Sequence, residues 1–295
     1  MEKYKRHRLP DGRGSVTFPP FRAASVSDRL VRLELVIGLL VAFSLCSPVS
    51  GDANDGPSYT AAGIVNAADN ETQSLAPNTL ASLYGVRLSY VTAAISPGDI
   101  QGGVLPTVLP GTGVHVTVGN LPATMYYVSP DQINFLVPAN LLPGASTVQV
   151  VLDGHSGPAV KITLAAASPA LFQLDSMTAV AIRPDGSVIT QDAPAKPGEI
   201  VILYATGLGQ TVPPVPYGQL FNDAAPLQQL ADFKLVLDGV TAGPGAVQYA
   251  GIAPGFAGLY QINVLLPKST KANPEIRIGF GKQLSIAGIH LPVEP

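Results

Sequence analysis

The sequence predicts an all-β protein with two tandem immunoglobulin-like β-sandwich domains after an N-terminal signal segment. Three observations predict this class. Turn-forming residues are abundant, with 30 glycines and 28 prolines among 295 residues, while only 13 % of the residues are charged. Short apolar segments alternate with polar residues at a period of two, and a set of these segments occurs twice in the same order. No window shows the period of an amphipathic helix.

The N-terminal region has the charge pattern of an export signal. Eight of the 17 basic residues precede position 33, and the apolar stretch Val36 to Cys46 that follows is too short to span a bilayer. Residues 1–51 are therefore interpreted as a basic leader and signal peptide, with cleavage near Gly51. Residues 52–62 would form a flexible leader. The protein is expected to be secreted, or to lie at the cell surface or in the periplasm, with no membrane span in the mature chain.

Removal of this segment leaves an acidic chain without cysteine. The first 51 residues hold eight basic and four of the 20 acidic residues, so the remainder has nine basic and 16 acidic residues and a net charge of −7. A nucleic-acid partner would need a basic face, and none is expected. The only cysteine, Cys46, lies in the signal segment, so the mature chain offers no disulfide or thiolate chemistry. No cofactor is expected.

Four landmarks recur in one order and indicate an internal duplication. "LAPNTLASLYGVRLS" (75–89) aligns with "AKPGEIVILYATGLG" (195–209), and "VHVTVGN" with "KLVLDG". The strand "DQINFLVP" then matches "YQINVLLP", and "STVQVVLDG" matches "PEIRIGFGK". The repeat predicts two domains, at residues 63–168 and 169–295, each with the roughly seven short strands of an immunoglobulin-like sandwich.

Period-two alternation assigns a core face to each repeated strand. In the Gln-Ile-Asn strands the core residues are predicted to be Ile133, Phe135 and Val137 in the first copy, and Ile262, Val264 and Leu266 in the second. The polar residues that alternate with them would face solvent, a neighbouring loop or the other domain. These are candidate partner contacts: Gln132, Asn134, Gln261 and Asn263.

Several longer motifs together resemble a known family. Val65-Asn66-Ala67-Ala68 is followed by "LASLYG", "YVSPDQINFLVP", "APAKPGEIVILYATGLG" and "YAGIAPGFAGLYQINVLLP". From about residue 63 to the end, the chain resembles the uncharacterised C-terminal domain family of Solibacter-type acidobacterial secreted proteins. The resemblance implies export and a double sandwich of the IPT/TIG-like immunoglobulin type. It implies no activity, because the family has none assigned and no catalytic residues to carry over.

The residues give no sign of a catalytic or metal site. The mature chain has three scattered histidines, His115, His155 and His290, without a Gly-x-Ser-x-Gly nucleophile motif or the close His/Cys spacing of a zinc site. Catalytic, cofactor and metal residues are all predicted to be none. A calcium site is left open at the acidic residues near the start of the mature chain, which are Asp52, Asp55, Asp69 and Glu71.

Tyrosines are the remaining candidates for ligand contact. Tyr126 and Tyr127 are adjacent in a strand, so one is expected to face inward and the other, Tyr127, to be available to a partner. Tyr217 lies in "TVPPVPYGQLF" (211–221), a proline-rich stretch with no counterpart in the first copy, and is predicted to be the best exposed aromatic.

Three functions are consistent with these features. The first is an exported, non-catalytic interaction or structural module, in adhesion for example, that contacts a protein or polysaccharide of the cell envelope. The second is a carbohydrate-binding module, and the third is an unrecognised hydrolase. The absence of a catalytic constellation favours the first hypothesis.

Overall fold

The computed structural model describes residues 56–72 and 75–295, and nearly all regular structure in these residues is β-strand. The two described elements that are not strands are short 3₁₀ turns, Pro97–Asp99 and Leu230–Asp232. The signal-peptide prediction for residues 1–51 lies outside the described residues. The all-β class predicted from turn chemistry and period-two alternation is confirmed.

The first half of the described chain contains two antiparallel sheets. One has the order β1-β2-β7-β6-β3, and the other has the order β10-β8-β4-β5 with β9 paired to β8. The strands are β1 Ser58–Asn66, β2 Leu80–Val86, β3 Ala93–Ala94, β4 Val114–Val118, β5 Leu121–Pro122, β6 Thr124–Val128, β7 Gln132–Leu136, β8 Gly144–Leu152, β9 His155–Ser156 and β10 Val160–Leu164.

The second half has the same plan. Its sheets have the orders β11-β13-β18-β17-β14, with β12 also paired to β13, and β16-β15-β19-β20. The strands are β11 Ala170–Leu171, β12 Ala181–Ile182, β13 Ile200–Thr206, β14 Ala225–Pro226, β15 Phe233–Leu237, β16 Val240–Thr241, β17 Val247–Ile252, β18 Tyr260–Leu265, β19 Ile276–Phe280 and β20 Gln283–Leu284.

The matching strand orders show that the repeat in the sequence is a repeat of topology. The central trio β2-β7-β6 of the first half corresponds to β13-β18-β17 of the second, and β4-β8 corresponds to β15-β19. The boundaries 63–168 and 169–295 stay a prediction, and the described residues belong to one compact unit. Strand β1 begins at Ser58 and pairs with β2, so it extends into the segment expected to be a flexible leader.

The alternating apolar residues form the interior as predicted. Ile133, Phe135 and Val137 are fully buried, and so are their counterparts Ile262, Val264 and Leu266. In the second half these residues belong to a cluster with members from both sheets, among them Leu203 of β13, Leu235 of β15 and Ile278 of β19. Strands β7 and β18 end shortly before Pro138 and Pro267, which have no N–H for a further ladder bond.

Candidate functional site

The amide side chains predicted to contact a partner in the first half are buried instead. Gln132 and Asn134 are each only 1 % exposed. The Oδ1 atom of Asn134 accepts hydrogen bonds from Ser82 Oγ and from Gln132 Nε2, both at 2.9 Å. Solvent exposure was the wrong expectation because β7 is the central strand of its sheet and tyrosines flank its outer face. Tyr84 of β2 lies in register with Gln132, and Tyr127 of β6 with Asn134.

The second half repeats this arrangement on its own sheet. Gln261 is 3 % exposed and donates from Nε2 to Asn263 Oδ1 at 2.8 Å. Tyr204 lies in register with Gln261, as Tyr84 does with Gln132. Asn263 is half-buried, and the low exposure of Gln261 shows that it does not face solvent either. In each half the glutamine Nε2 of the repeated Gln-x-Asn therefore donates to the asparagine Oδ1 on the same strand, while the buried Gln261 Oε1 has no hydrogen-bond partner in the described chain.

Tyr126 and Tyr127 are both buried, which corrects the expectation that one of them faces outward. Tyr127 is 9 % exposed. The pairing of β6 with β7 shifts register between Met125 and Tyr127. An irregularity of this kind breaks strict alternation, so two successive side chains can both lie on covered surface. Tyr126 Oη donates to the carbonyl of Ala257 in the second half at 2.7 Å.

Tyr217 is not the exposed aromatic that the sequence predicted. Its hydroxyl accepts a hydrogen bond from Thr124 N at 2.7 Å and lies 3.0 Å from Leu136 O and 3.2 Å from Pro122 O, the carbonyls to which it can donate. Burial raises the pKa of Tyr217 to about 12. The prolines of the 211–221 stretch predict a surface loop, but the stretch places the Tyr217 hydroxyl against the backbone of β5, β6 and β7.

Tyr217 is one part of a larger contact between the two halves, here named the junction. Leu80 N donates to Thr206 Oγ1 at 2.9 Å, and Asn78 Nδ2 donates to Tyr260 Oη at 3.1 Å. The 211–221 stretch adds two backbone bonds, from Leu105 N to Gly218 O at 2.8 Å and from Leu220 N to Gly103 O at 2.7 Å. The residues of the stretch therefore hold the halves together.

Loss of the Tyr217 hydroxyl is expected to destabilise the protein in a pH-dependent way. Tyr217→Phe leaves the Thr124 N–H without its acceptor, which should cost about 1–3 kcal/mol at pH 7. The folded-state pKa lies above the ordinary value of 10, so the proton is held more tightly in the folded chain. That stabilisation is complete below pH 10 and declines as pH rises towards 12. Between pH 10 and 12 the unfolding free energy of the wild type should therefore fall more steeply with pH than that of Tyr217→Phe. The two slopes should differ by up to about 1.4 kcal/mol per pH unit.

Urea unfolding at pH 7 and between pH 10 and 11.5 measures both effects. Tyr90→Phe is the matched control, because the Tyr90 side chain is 70 % exposed and its hydroxyl should contribute little. Equal stability of the two variants at pH 7 would contradict the junction role of Tyr217.

The histidines and acidic residues weighed as site candidates have the following places in the described chain. His115 and His155 are exposed, and the His290 ring nitrogen Nδ1 lies 3.0 Å from the Asn273 carbonyl. Within residues 56–72 and 75–295 no group of three or more His, Cys, Asp or Glu side chains could hold a metal ion. Two residues of the calcium site left open by the sequence, Asp52 and Asp55, lie outside that region. Of the other two, Asp69 Oδ1 accepts a hydrogen bond from Glu71 N in a local turn. No helix in the same region could cross a membrane.

Two open clefts and one exposed tyrosine were not found from the sequence. One cleft, here named the Phe280 cleft, has a volume of about 450 Å³ and is lined by Gln229, Ala231, Asp232, Lys234, Phe280 and Gly281. The other, of about 430 Å³, lies between β1 and β10 and includes Ile64 and Lys161. Tyr90 stands at the tip of the β2–β3 loop, where Ser89 Oγ bonds the backbone of Val91.

The Phe280 cleft is built where the second half's core meets solvent. Phe233 of β15 and Phe280 of β19 are register partners and face the same way as the core residues Leu235 and Ile278, but they lie at the strand ends. Their rings are 5.6 Å apart with an interplanar angle of 69°. Alternation alone assigns both to the core, and no local pattern indicates that this end of the core is open.

Comparisons with known proteins give only distant structural similarity. No family model and no curated protein matches the chain. Among solved structures, it is similar to the SGBP-B of the Bacteroides ovatus mixed-linkage glucan utilization locus, in complex with a mixed-linkage heptasaccharide (11 % identity, TM-score 0.34). The match covers 83 % of this chain and 48 % of that one, so this chain spans about half the length of that protein.

Two shorter structures are also similar. One is the tandem Ig repeats of Dlar, with 11 % identity, a TM-score of 0.20 and coverage of 82 % of this chain and 96 % of that one. The other is domains 5–6 of the S-layer protein SbsC, with 11 % identity, a TM-score of 0.25 and coverage of 75 % and 91 %. Similarity at this level does not extend to function.

Proposed function

We propose that the chain is an exported, non-catalytic binding module whose partner is a protein or polysaccharide of the cell envelope. The observation that carries this proposal is the division of polar groups between interior and surface. Buried amides and tyrosine hydroxyls make hydrogen bonds within the sheet faces and across the junction, whereas the Phe280 cleft is lined by one aromatic residue and three polar ones. Export follows from the signal-like segment, and the family resemblance supports the same assignment.

Carbohydrate binding is the second candidate, and the composition of the Phe280 cleft favours it. An open site with an aromatic surface and separate hydrogen-bond donors and acceptors suits a ligand that has both apolar faces and hydroxyl groups. A protein partner would instead need a contact area of roughly 800 Å² on each side, so it would also have to contact surface around the cleft. The two candidates therefore differ in how much of the surrounding surface they need.

A binding experiment with the host's own envelope tests the proposed function. The tagged chain is immobilised and exposed to solubilised envelope and to extracellular polysaccharide, and each retained component is purified and titrated against the chain. We expect saturable binding of at least one component, with a heat-unfolded sample as the control. Turnover of an ester, peptide or glycoside substrate that increases in proportion to enzyme concentration would contradict the non-catalytic assignment and support the hydrolase hypothesis.

A further inference from the structure

We infer that the Phe280 cleft is a subsite for one or two sugar residues of a neutral polysaccharide. This inference rests on the proposed function and gives it a ligand class. It depends on three features of the cleft: a fixed aromatic surface, a rim with both donors and acceptors, and a balance of charge. The side chains that carry these features lie in or just before the 3₁₀ turn Leu230–Asp232, here named η2, in β15 and at the end of β19.

The aromatic surface is held in place before any ligand binds. Phe280 is half-buried: it packs against the core cluster and is also one of the residues that line the cleft. Phe233 packs against it in a T-shaped contact, which restricts rotation of the Phe280 ring. The adjacent turn is tied down, because Gln283 Nε2 donates to the carbonyl of Ala167. A rigid apolar ring beside a polar rim matches the C–H face of a pyranose, which is apolar, and its hydroxyl edge, which is polar.

The rim can satisfy hydroxyl groups in both of their roles. A hydroxyl donates one hydrogen bond and accepts others, so a sugar edge needs acceptors and donors within reach. Asp232 supplies carboxylate acceptors, and Gln229 supplies an amide with both functions. Gln229 stands at the N-cap of η2, but its side chain makes no capping bond there, so the amide is not committed to the turn. Lys234 Nζ donates to Gly281 O at 3.5 Å, which leaves further ammonium hydrogens for a ligand.

Charge and size restrict the ligand class. The cleft is lined by one carboxylate, Asp232, and one ammonium group, Lys234, so it carries no net charge. An anionic polysaccharide would meet Asp232 without a surplus of positive charge to compensate for the repulsion. The volume of about 450 Å³ is near the lower end of the roughly 300–1,000 Å³ of small-molecule sites. Because the cleft is open, the rest of a polysaccharide chain can extend into solvent on either side.

Oligosaccharide titration with two cleft variants tests this assignment. Cellohexaose, xylohexaose and mannohexaose are the neutral probes, and oligogalacturonate is the anionic one, each titrated by calorimetry against the full chain. We expect binding of at least one neutral probe and none of the anionic probe. Phe280→Leu keeps apolar packing on Phe233 but removes the ring, and Asp232→Asn removes an exposed charge. Both should weaken the neutral probe at least tenfold, with Tyr90→Ala as the exposed aromatic control that leaves affinity unchanged.

The outcomes separate this inference from the function on which it rests. If a neutral sugar binds but both cleft variants bind it as tightly as the wild type, the subsite is wrong while carbohydrate binding stands. If all four probes fail but an envelope protein binds saturably, the sugar subsite is wrong and the general binding function stands. Asp232→Asn keeps the test valid even if Phe280→Leu lowers the urea midpoint, since Asp232 is an exposed residue outside the core.

Discussion

Replacement of Thr206 by valine is expected to lower the free energy of unfolding by about 2–6 kcal/mol, although valine has almost the same shape. Thr206 is fully buried at the junction. Its hydroxyl accepts a hydrogen bond from Leu80 N at 2.9 Å and donates one to Gly258 O at 2.8 Å. Valine would leave an amide and a carbonyl buried without these partners, and each such group costs about 1–3 kcal/mol.

Urea unfolding of Thr206→Val beside Thr206→Ser isolates the hydroxyl. Serine keeps both hydrogen bonds and removes one methyl group, so its cost should be about 1 kcal/mol. Equal losses for the two variants would show that packing, and not the hydroxyl bridge, is what Thr206 contributes to the junction. A loss for valine at least twice that for serine is the expected result.

The repeat explains why Thr206 could not be singled out from the sequence. In the alignment of residues 75–89 with 195–209, Thr206 takes the place of Val86, and Gly207 takes the place of Arg87. Positions that agree between the copies, such as Tyr84 with Tyr204 and Leu88 with Leu208, serve a role that both halves share. Thr206 is a position where the copies differ and where the second half bonds the first, through Leu80 N. The segments that the two copies share predict the sheets, but they do not indicate the residues that join the two halves.

The core was predictable because period-two alternation depends only on neighbours along the strand. The same period says nothing about whether the second face of a sheet is covered, since that depends on residues far away in the chain. Gln132 and Asn134 alternate with Ile133 as predicted, but both are buried because they lie on the central strand β7, where side chains of the neighbouring strands cover them. The prediction of an exposed loop at Tyr217 is wrong for the same reason. The groups that bond its hydroxyl, Thr124 N, Pro122 O and Leu136 O, lie 81 to 95 residues away.

The Phe280 cleft could not be predicted because its aromatic residues have the alternation of core residues but are only partly buried. Phe233 and Phe280 have the alternation of core residues, and their exposure comes from a position at the strand ends, where no further strand residue covers them. Gln229 and Asp232 reach the same cleft only because η2 precedes β15 and β15 pairs with β19. Pairing across more than 40 residues brings these groups together, and no local motif encodes it.

Gly207→Ala is expected to destabilise the protein by about 2–5 kcal/mol, because it combines backbone strain with a steric clash. Gly207 has φ of +75°, and a Cβ atom there would lie 2.0 Å from the carbonyl oxygen of Ser168 and 2.8 Å from its carbon. The contact cannot relax easily, since Ser168 N donates to Gly207 O at 2.7 Å and holds the two backbones together. The equivalent Arg87 has φ of +57°, so the backbone conformation alone does not require glycine.

Gly255→Ala is the matched control, since Gly255 has φ of +87° and no atom lies within 4 Å of the Cβ position. This variant should lower the free energy of unfolding by only about 1–2 kcal/mol, which is the cost of placing alanine in the left-handed backbone region. Urea unfolding of both variants then gives the contribution of the close approach between Gly207 and Ser168 by difference. Equal costs would mean that this approach contributes nothing. A larger cost at Gly207 would show that the close approach to Ser168, just before β11, contributes to the stability of the fold.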